Sequence, residues 1–436
     1  MEFMQIVRLF LGTYAMFPLN ILFWIVVLLI TSQYRRVARN EAQLLGRAKY
    51  PVGWQVAYSA VFGLAGGLLA SALLVFFGIS LIEIGIFPFV WPLAIILMLV
   101  HPRYLCFAYA GGLVGFASAL LRIMSAHWPA LIQGDGFLAE LLAQLAGLHI
   151  PGLLVLIGIL HLTESFLIAV SGHLFPSPLY IKTDHGVVGG FSLQKFWPLP
   201  LVGLVAMVVT MEAADAAIGA ARMPQWWPLL SSGSVPGPGE TLMYMLMPIV
   251  AGLGYGDMAV STPPREKSKQ SAVNLGLYSV VLIAVAFAAF YEPLVMIPAA
   301  LFAPFGHEFL IMRNNQREFS RQPLFVAPDK GVKVMDVFPG SPAEKAGLQP
   351  HDVILAMNRF AVHDTAMYKN LLAMAGPDLE LEIMRDGLRH TVDIPGPDPG
   401  IIPVPDRFTP AYAEINHNHF FSALGEKIQK LRTAEK

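Results

Sequence analysis

The sequence predicts a polytopic α-helical membrane domain followed by a C-terminal soluble α+β domain, and three observations carry that prediction. Of the 436 residues, 55% are hydrophobic and only 14% are charged, with a mean hydropathy of +0.58; soluble globular chains carry about 25% charged residues. Apolar runs of the length a bilayer-spanning helix needs, roughly 17 to 25 residues, recur from residue 13 to residue 311. From Gly331 onward the pattern changes to short alternating segments separated by turn signals.

Nine candidate spans follow: 13–33, 56–78, 84–100, 104–123, 151–171, 197–213, 242–259, 272–290 and 294–311. They make residues 1–312 a multi-span domain. The short third span and the proline-broken last pair (Pro293, Pro298, Pro304) are the re-entrant candidates. Lysine and arginine accumulate in cytoplasmic loops. Here Arg35, Arg36, Arg39, Arg47 and Lys49 follow the first span, Arg103 the third, and Lys182 and Lys195 the fifth. Arg265, Lys267 and Lys269 follow the seventh, and Arg313, Arg317 and Arg321 the ninth. Only Arg8, Arg122 and Arg222 lie between, fourteen against three. The alternation predicts an outside N-terminus and a cytoplasmic C-terminal domain. No cleavable leader pattern precedes the first span, which reads as an uncleaved anchor. Residues 137–148 read as a short interfacial helix. In the loop 171–200, Tyr180, Ile181 and Phe191 mark short strands.

A basic linker, 313–322, leads to the module at 323–395. Pro323 to Ala327 reads as a first short strand and Val332 to Val337 as the main one. Ser341-Pro342-Ala343-Glu344 is a capping box with proline at the first helical position, and Gly347 ends that turn. Asp352 to Met357 is the next strand. Asp364 caps a helix from Thr365 to Ala375, and Leu379–Met384 and Leu388–Ile394 flank a hairpin turn at Asp386-Gly387. The Pro-rich run after 395 reads as an extended linker. Beyond it, Phe420, Phe421, Leu424, Ile428 and Leu431 recur at helical spacing in an amphipathic tail.

The order of these elements, with SPAEKAGL followed by DVI, resembles a bacterial PDZ domain. That resemblance implies peptide binding by strand addition. The edge would be Val332 to Val337, with Lys333 and Val334 among the groove residues. The amides around Lys330, Gly331 and Val332 would cradle a carboxylate. Tyr368, Leu371, Leu372 and Ala375 would form the opposite wall. The alternative is a fold that docks on its own membrane domain.

Other chemistries find less support. GHEFL at 306–310, beside a PDZ-like module, suggests a site-2 intramembrane metalloprotease, but the position four after His307 is Ile311, so the zinc pair is missing and no metal is expected. His307 and Glu308 then read as a polar pair at the cytoplasmic end of the last span. A serine protease has neither its catalytic domain nor a Gly-x-Ser-x-Gly elbow. His161 and Glu164 share a helix face deep enough to raise a transport reading. His417 and His419 lack a third ligand. The single cysteine, Cys106, reads as a buried inert thiol. The net charge of -1 gives no nucleic-acid signature, and no cofactor motif is present.

GHEFLIMRNNQ, continuing through RQPLFV into GVKVMDVFPGSPAEKAGL, together with SPLYIKT and GGFSLQKFWPLP, resembles the MinJ family, polytopic PDZ proteins of the division-site selection system in Gram-positive rods. The resemblance implies a non-enzymatic scaffold at septa and poles, recruited by DivIVA and linked to MinD, with membrane lipid as its surroundings.

Overall fold

The computed structural model describes residues 2–406, except 135, 184–185, 218–220, 222 and 232, together with residue 409. The tail carrying Phe420 to Leu431, His417 and His419 lies outside the described residues. Among those described, six helices are long and apolar enough to cross a membrane.

The helical part opens with α1 (Glu2–Ala15), α2 (Ile21–Leu45) and α3 (Val52–Phe77). The expected first span, 13–33, is broken: Pro18 sits in a single tight turn, and Asn20 accepts the Leu22 amide at 2.9 Å to start α2 afresh. The third candidate, 84–100, is a five-residue π turn followed by α4 (Trp91–Val100). At about 1.5 Å per residue, this helix of ten residues is too short to span. Next come α5 (Phe107–His127), α6 (Ala130–Gln133), α7 (Phe137–Ala146) and α8 (Ile150–Ser171).

The largest departure follows. Of residues 197–213 and 242–259, expected as helices, all but the last three of the first run form strands of a long antiparallel hairpin. Strand β1 (Ser177–Thr183) pairs with β2 (Gly186–Thr210), a short α9 (Met211–Asp215) follows, and β2 pairs with β3 (Glu240–Ala259) from Phe191↔Ala259 to Thr210↔Glu240. Hydropathy could not separate the two forms, because a fully buried strand is as apolar throughout as a spanning helix. Pro198 and Pro200 were the contrary signal, since two prolines two apart break a helix but suit alternate positions on a strand edge.

That edge shows why a strand survives in an apolar setting, where an unpaired backbone donor is expensive. The side of β2 away from β3 faces α3. The Phe196 amide donates to Tyr34 Oη at 3.2 Å, the Val202 amide to Ser71 Oγ at 2.8 Å and the Ala206 amide to Ser80 Oγ at 3.1 Å. Leu204 O accepts the Leu81 amide at 2.9 Å. Pro198 and Pro200 have no N–H to satisfy. Opposite them, Gly63 and Gly67 bring α3 so near that a Cβ at either would overlap the proline carbonyl. Four residues of helix rise about 6 Å and two of strand about 6.6 Å. The series Gly63, Gly67, Ser71 therefore stays in step with Pro198, Pro200, Val202.

The chain then forms α10 (Pro264–Tyr291) and α11 (Met296–Phe319), both full length, with Pro304 inside the second. The expected linker at 313–322 is mostly the end of α11. Its Glu318 accepts the amides of Val260, Ser261 and Thr262 at 2.8 to 2.9 Å and lies 3.4 Å from Lys267, which also reaches Asp257 at 3.3 Å. This buried knot joins the end of β3 to the starts of α10 and of the C-terminal module.

The module contains β4 (Val332–Val337), α12 (Pro342–Lys345), β5 (Val353–Met357), β6 (Phe360–Ala361), α13 (Thr365–Met374), β7 (Asp378–Arg385), β8 (Leu388–Pro395) and β9 (Ile401–Pro403). Its sheet runs β8-β7-β5-β4-β9, with β6 paired to β5. Both caps form as the sequence indicated: Ser341 Oγ accepts the Glu344 amide at 3.2 Å and Asp364 Oδ1 that of Met367 at 2.7 Å. Pro323 to Ala327 is not a strand of this sheet, for Phe325 bridges to Gly189 of β2 instead.

Replacing Ser71 by alanine orphans the Val202 amide and should cost about 1 to 3 kcal/mol. Thermal unfolding of the detergent-solubilised protein, compared with an alanine at an exposed serine, checks this.

Candidate peptide-binding groove and its closing strand

The expected open edge is occupied. On one side β4 pairs with β5, Val332↔Ile354 and Lys333↔Val353; on the other it pairs with β9, Val334↔Pro403, Asp336↔Ile402 and Val337↔Ile401. The Val404 amide donates to Lys333 O at 2.8 Å, the Phe338 amide to Gly400 O at 2.9 Å and the Ala343 amide to Pro399 O at 3.0 Å. At the far end Thr365 Oγ1, at the start of α13, donates to Asp406 Oδ1 at 3.0 Å. Residues 399–406 thus run from the α12 turn along β4 to α13. The run read as a linker supplies a strand because Ile401, Ile402 and Val404 offer apolar contacts on both faces. Ile401 packs on the module's core and Ile402 and Val404 on the membrane domain's.

The carboxylate cradle expected at Lys330, Gly331 and Val332 is also altered. Gly331 has φ +86° and a Cβ there would overlap Ile354 O, so glycine is required. Its amide, however, donates to His363 O at 3.2 Å. Lys330 is exposed, Lys333 half-buried, and Val332 and Val334 are core residues. On α13, Tyr368 is buried, and Leu371, Leu372 and Ala375 are half-buried against the same core. Burial pushes the Tyr368 phenol up, with the nearby Asp398 carboxylate adding to it.

The module is docked on the membrane domain. Lys49, in the α2–α3 turn and 3% exposed, pairs with Asp336 of β4, and Arg47 reaches Asp398 at 3.1 Å and lies over the Phe338 ring at 4.1 Å. Phe325 packs edge-on to Phe191 and stacks on His351 at 4.7 Å between centroids. Tyr180 Oη of β1 donates to Pro403 O at 2.9 Å, so the closing strand is itself held by the membrane domain. Beneath this face Glu41 accepts the Lys49 amide at 2.8 Å. Burial pulls the nearby Lys195 ammonium down to about 8, the Glu41 carboxylate opposing.

Within the module, Asp352 accepts Arg385 Nε at 2.7 Å and Nη2 at 2.6 Å, a bidentate pair that raises the guanidinium pKa. In the membrane domain, His307 and Glu308 do not sit at a helix end. They lie at the middle of α11 against α5, where Glu308 accepts Arg103 Nη2 and Tyr109 Oη, both at 2.6 Å. His161 of α8 comes to the same place, whereas Glu164 adds no ligand atom to the cluster of Cys106, His161 and His307. Sequence spacing could not show that convergence, because the three residues come from three segments far apart in the chain.

Residues 312–395 match the family model described as "PDZ domain". The module is a PDZ domain. Over 376 residues, 85% of this chain and 87% of the relative, the sequence is 23% identical to the cell division topological determinant MinJ of Bacillus subtilis (strain 168). Two further similarities are confined to the PDZ domain. A probable periplasmic serine endoprotease DegP-like of Chlamydia pneumoniae is 40% identical over 67 residues, 15% of this chain and 13% of that protein. The periplasmic pH-dependent serine endoprotease DegQ of Escherichia coli (strain K12) is 43% identical over 56 residues, 13% and 12%. The protein is therefore a polytopic PDZ protein, similar to MinJ through membrane and PDZ regions alike, while its likeness to proteases stops at the PDZ domain.

Two outcomes test the docking face. Asp336→Ala leaves Lys49 buried without its partner and should cost about 3 to 5 kcal/mol, or release the PDZ domain, read as faster amide exchange in β4 and β9. Lys195 has its pKa lowered in the folded state. Between pH 8 and its ordinary value near 10.4 the unfolded chain holds a proton that the folded one has lost, so its contribution to stability rises with pH across that window. Below pH 8 the burial cost is constant, and Lys195→Met should raise stability there by about 1 to 3 kcal/mol, the gain shrinking toward pH 10. Melting curves of both proteins from pH 7 to 10 measure it.

Proposed function

We propose that this protein is a non-enzymatic membrane adaptor in the spatial control of cell division, whose PDZ domain meets partners through the face between β4 and α13. Its own residues 398–406 hold that face until a partner segment takes it. The observation that carries the reading is β9 seated by strand addition on β4, the mode by which PDZ domains take peptides. The similarity to a cell division topological determinant across both regions supports the cellular role. On this reading the cytoplasmic partners are DivIVA-like and MinD-like proteins, one recruiting the adaptor to septa and poles and the other recruited by it. Lys330, Gly331, Val332, Lys333 and Val334 then form the peptide-accepting edge once β9 leaves, with Tyr368, Leu371, Leu372 and Ala375 as the opposite wall. The basic ends of α2 and α11 support a cytoplasmic PDZ domain, since positive loops stay inside. β9 binds in cis at high effective concentration, so a partner must supply better side-chain contacts than Ile401 and Ile402.

Ile402→Pro in the full-length chain removes a strand residue and should raise capture of a DivIVA-like or MinD-like partner several-fold in co-purification. Gly331→Leu should abolish it, with membrane insertion intact. Equal capture by wild type and both variants would show that the groove plays no part. A C-terminal reporter active only outside the cell would overturn the sidedness.

A further inference from the structure

We propose that Cys106, His161 and His307 form a binding site for Zn²⁺, which ties α5, α8 and α11 together inside the membrane domain. The reading is independent of the adaptor function. Cys106 caps the start of α5, while His161 and His307 each lie eleven residues into α8 and α11, about 16 Å from their starts at Ile150 and Met296. Cys106 Sγ is 3.1 Å from His161 Nε2 and 4.0 Å from His307 Nε2, and the three ligand atoms all lie within 4.8 Å of one another. Tetrahedral zinc with Zn–S near 2.3 Å and Zn–N near 2.0 to 2.1 Å sets neighbouring S and N ligands about 3.6 Å apart, which falls between the two measured separations.

The surrounding hydrogen bonds prepare both imidazoles as ligands. His161 Nδ1 is 2.8 Å from Ile157 O, an acceptor only, so Nδ1 carries the proton and Nε2 presents its lone pair. Around His307 the same result follows in two steps. Glu308, held by Arg103, accepts the Tyr109 hydroxyl proton at 2.6 Å, so Tyr109 Oη is an acceptor toward His307 Nδ1 at 3.4 Å. His307 Nε2 is thereby also left with a lone pair. Two lone pairs converge on one thiol, whose single proton can satisfy only one of them; a cation satisfies both and takes the thiolate as its third ligand. Binding releases that thiol proton to water. Outer partners of this kind, a backbone carbonyl and a carboxylate acting through a hydroxyl, are what orient metal-ligating histidines. One sulfur and two imidazoles select a borderline-soft ion such as Zn²⁺ over Mg²⁺ or Ca²⁺. His161 is buried, and Cys106 and His307 are partly exposed.

The test uses the full-length protein purified in detergent, stripped with chelator, reloaded with Zn²⁺ and desalted. Elemental analysis should find one zinc per chain, and Co²⁺ in its place should give thiolate-to-metal charge-transfer absorption. Cys106→Ser and His307→Gln, each checked for the wild-type elution profile, should bind Zn²⁺ at least tenfold more weakly and lose the charge-transfer band. His417→Ala with His419→Ala should retain both. Zn²⁺ should also raise the wild-type melting temperature and leave that of Cys106→Ser unchanged. Should the reloaded wild type hold no zinc, or the Cys106 and His307 variants hold as much as the wild type, the site is overturned. Should one variant misfold, the other and the wild-type stoichiometry still decide.

Discussion

The rest of the structure depends on how one strand keeps its backbone hydrogen-bonded among apolar helices. β2 is paired along one edge by β3; its other edge pairs with β1 only as far as Ser192 and beyond that faces α3, a helix whose own N–H and C=O groups are spent internally. Side-chain hydroxyls of Tyr34, Ser71 and Ser80 answer three of its amides, and two prolines remove the need for two more. Glycines at 63 and 67 then let α3 close on the proline carbonyls. Each substitution is small; together they replace a hydrogen-bonded neighbour strand by a helix. The hairpin passes out and back, so the side on which α10 begins is the side on which α8 ends, as two helices there would have arranged it.

That equivalence explains what was legible in the sequence. Composition, the basic residues at the ends of α2 and α11, and the helix caps at Ser341 and Asp364 all report local chemistry, and both caps form where their residues put them. The hairpin was not legible, because its residues are apolar on both faces and the run lengths suit a span; only Pro198 and Pro200 spoke against a helix. β9 was hidden by the prolines on either side of it. The order of elements also placed the residues proposed for the groove on or beside β4 and α13. The pairing of Ile401 and Ile402 with β4 depends on a chain reversal at Gly396 to Gly400, which no spacing rule anticipates. Cys106, His161 and His307 meet only once three helices have packed.

The docking face and the groove are one device. Asp336 lies on β4 and pairs with Lys49; its neighbour across the ladder is Ile402, whose side chain enters the core of the membrane domain. Tyr180 holds the carbonyl of Pro403 from the other side. Whatever lifts β9 from β4 therefore also loosens the PDZ domain from the helices, and the converse holds, since equilibrium coupling between two events is reciprocal.

The in-step contact of α3 with β2 also bears on how the chain is assembled. α3 ends at Phe77, and β2 begins at Gly186, more than a hundred residues later. During synthesis the helix is therefore made first, and its glycine and serine face waits, shielded by lipid, for a strand not yet translated. The strand has no such option, for without that face its outer edge has no place in hydrocarbon. Helix-first insertion, with the hairpin folding onto a finished wall, is the order that the chemistry of this edge permits.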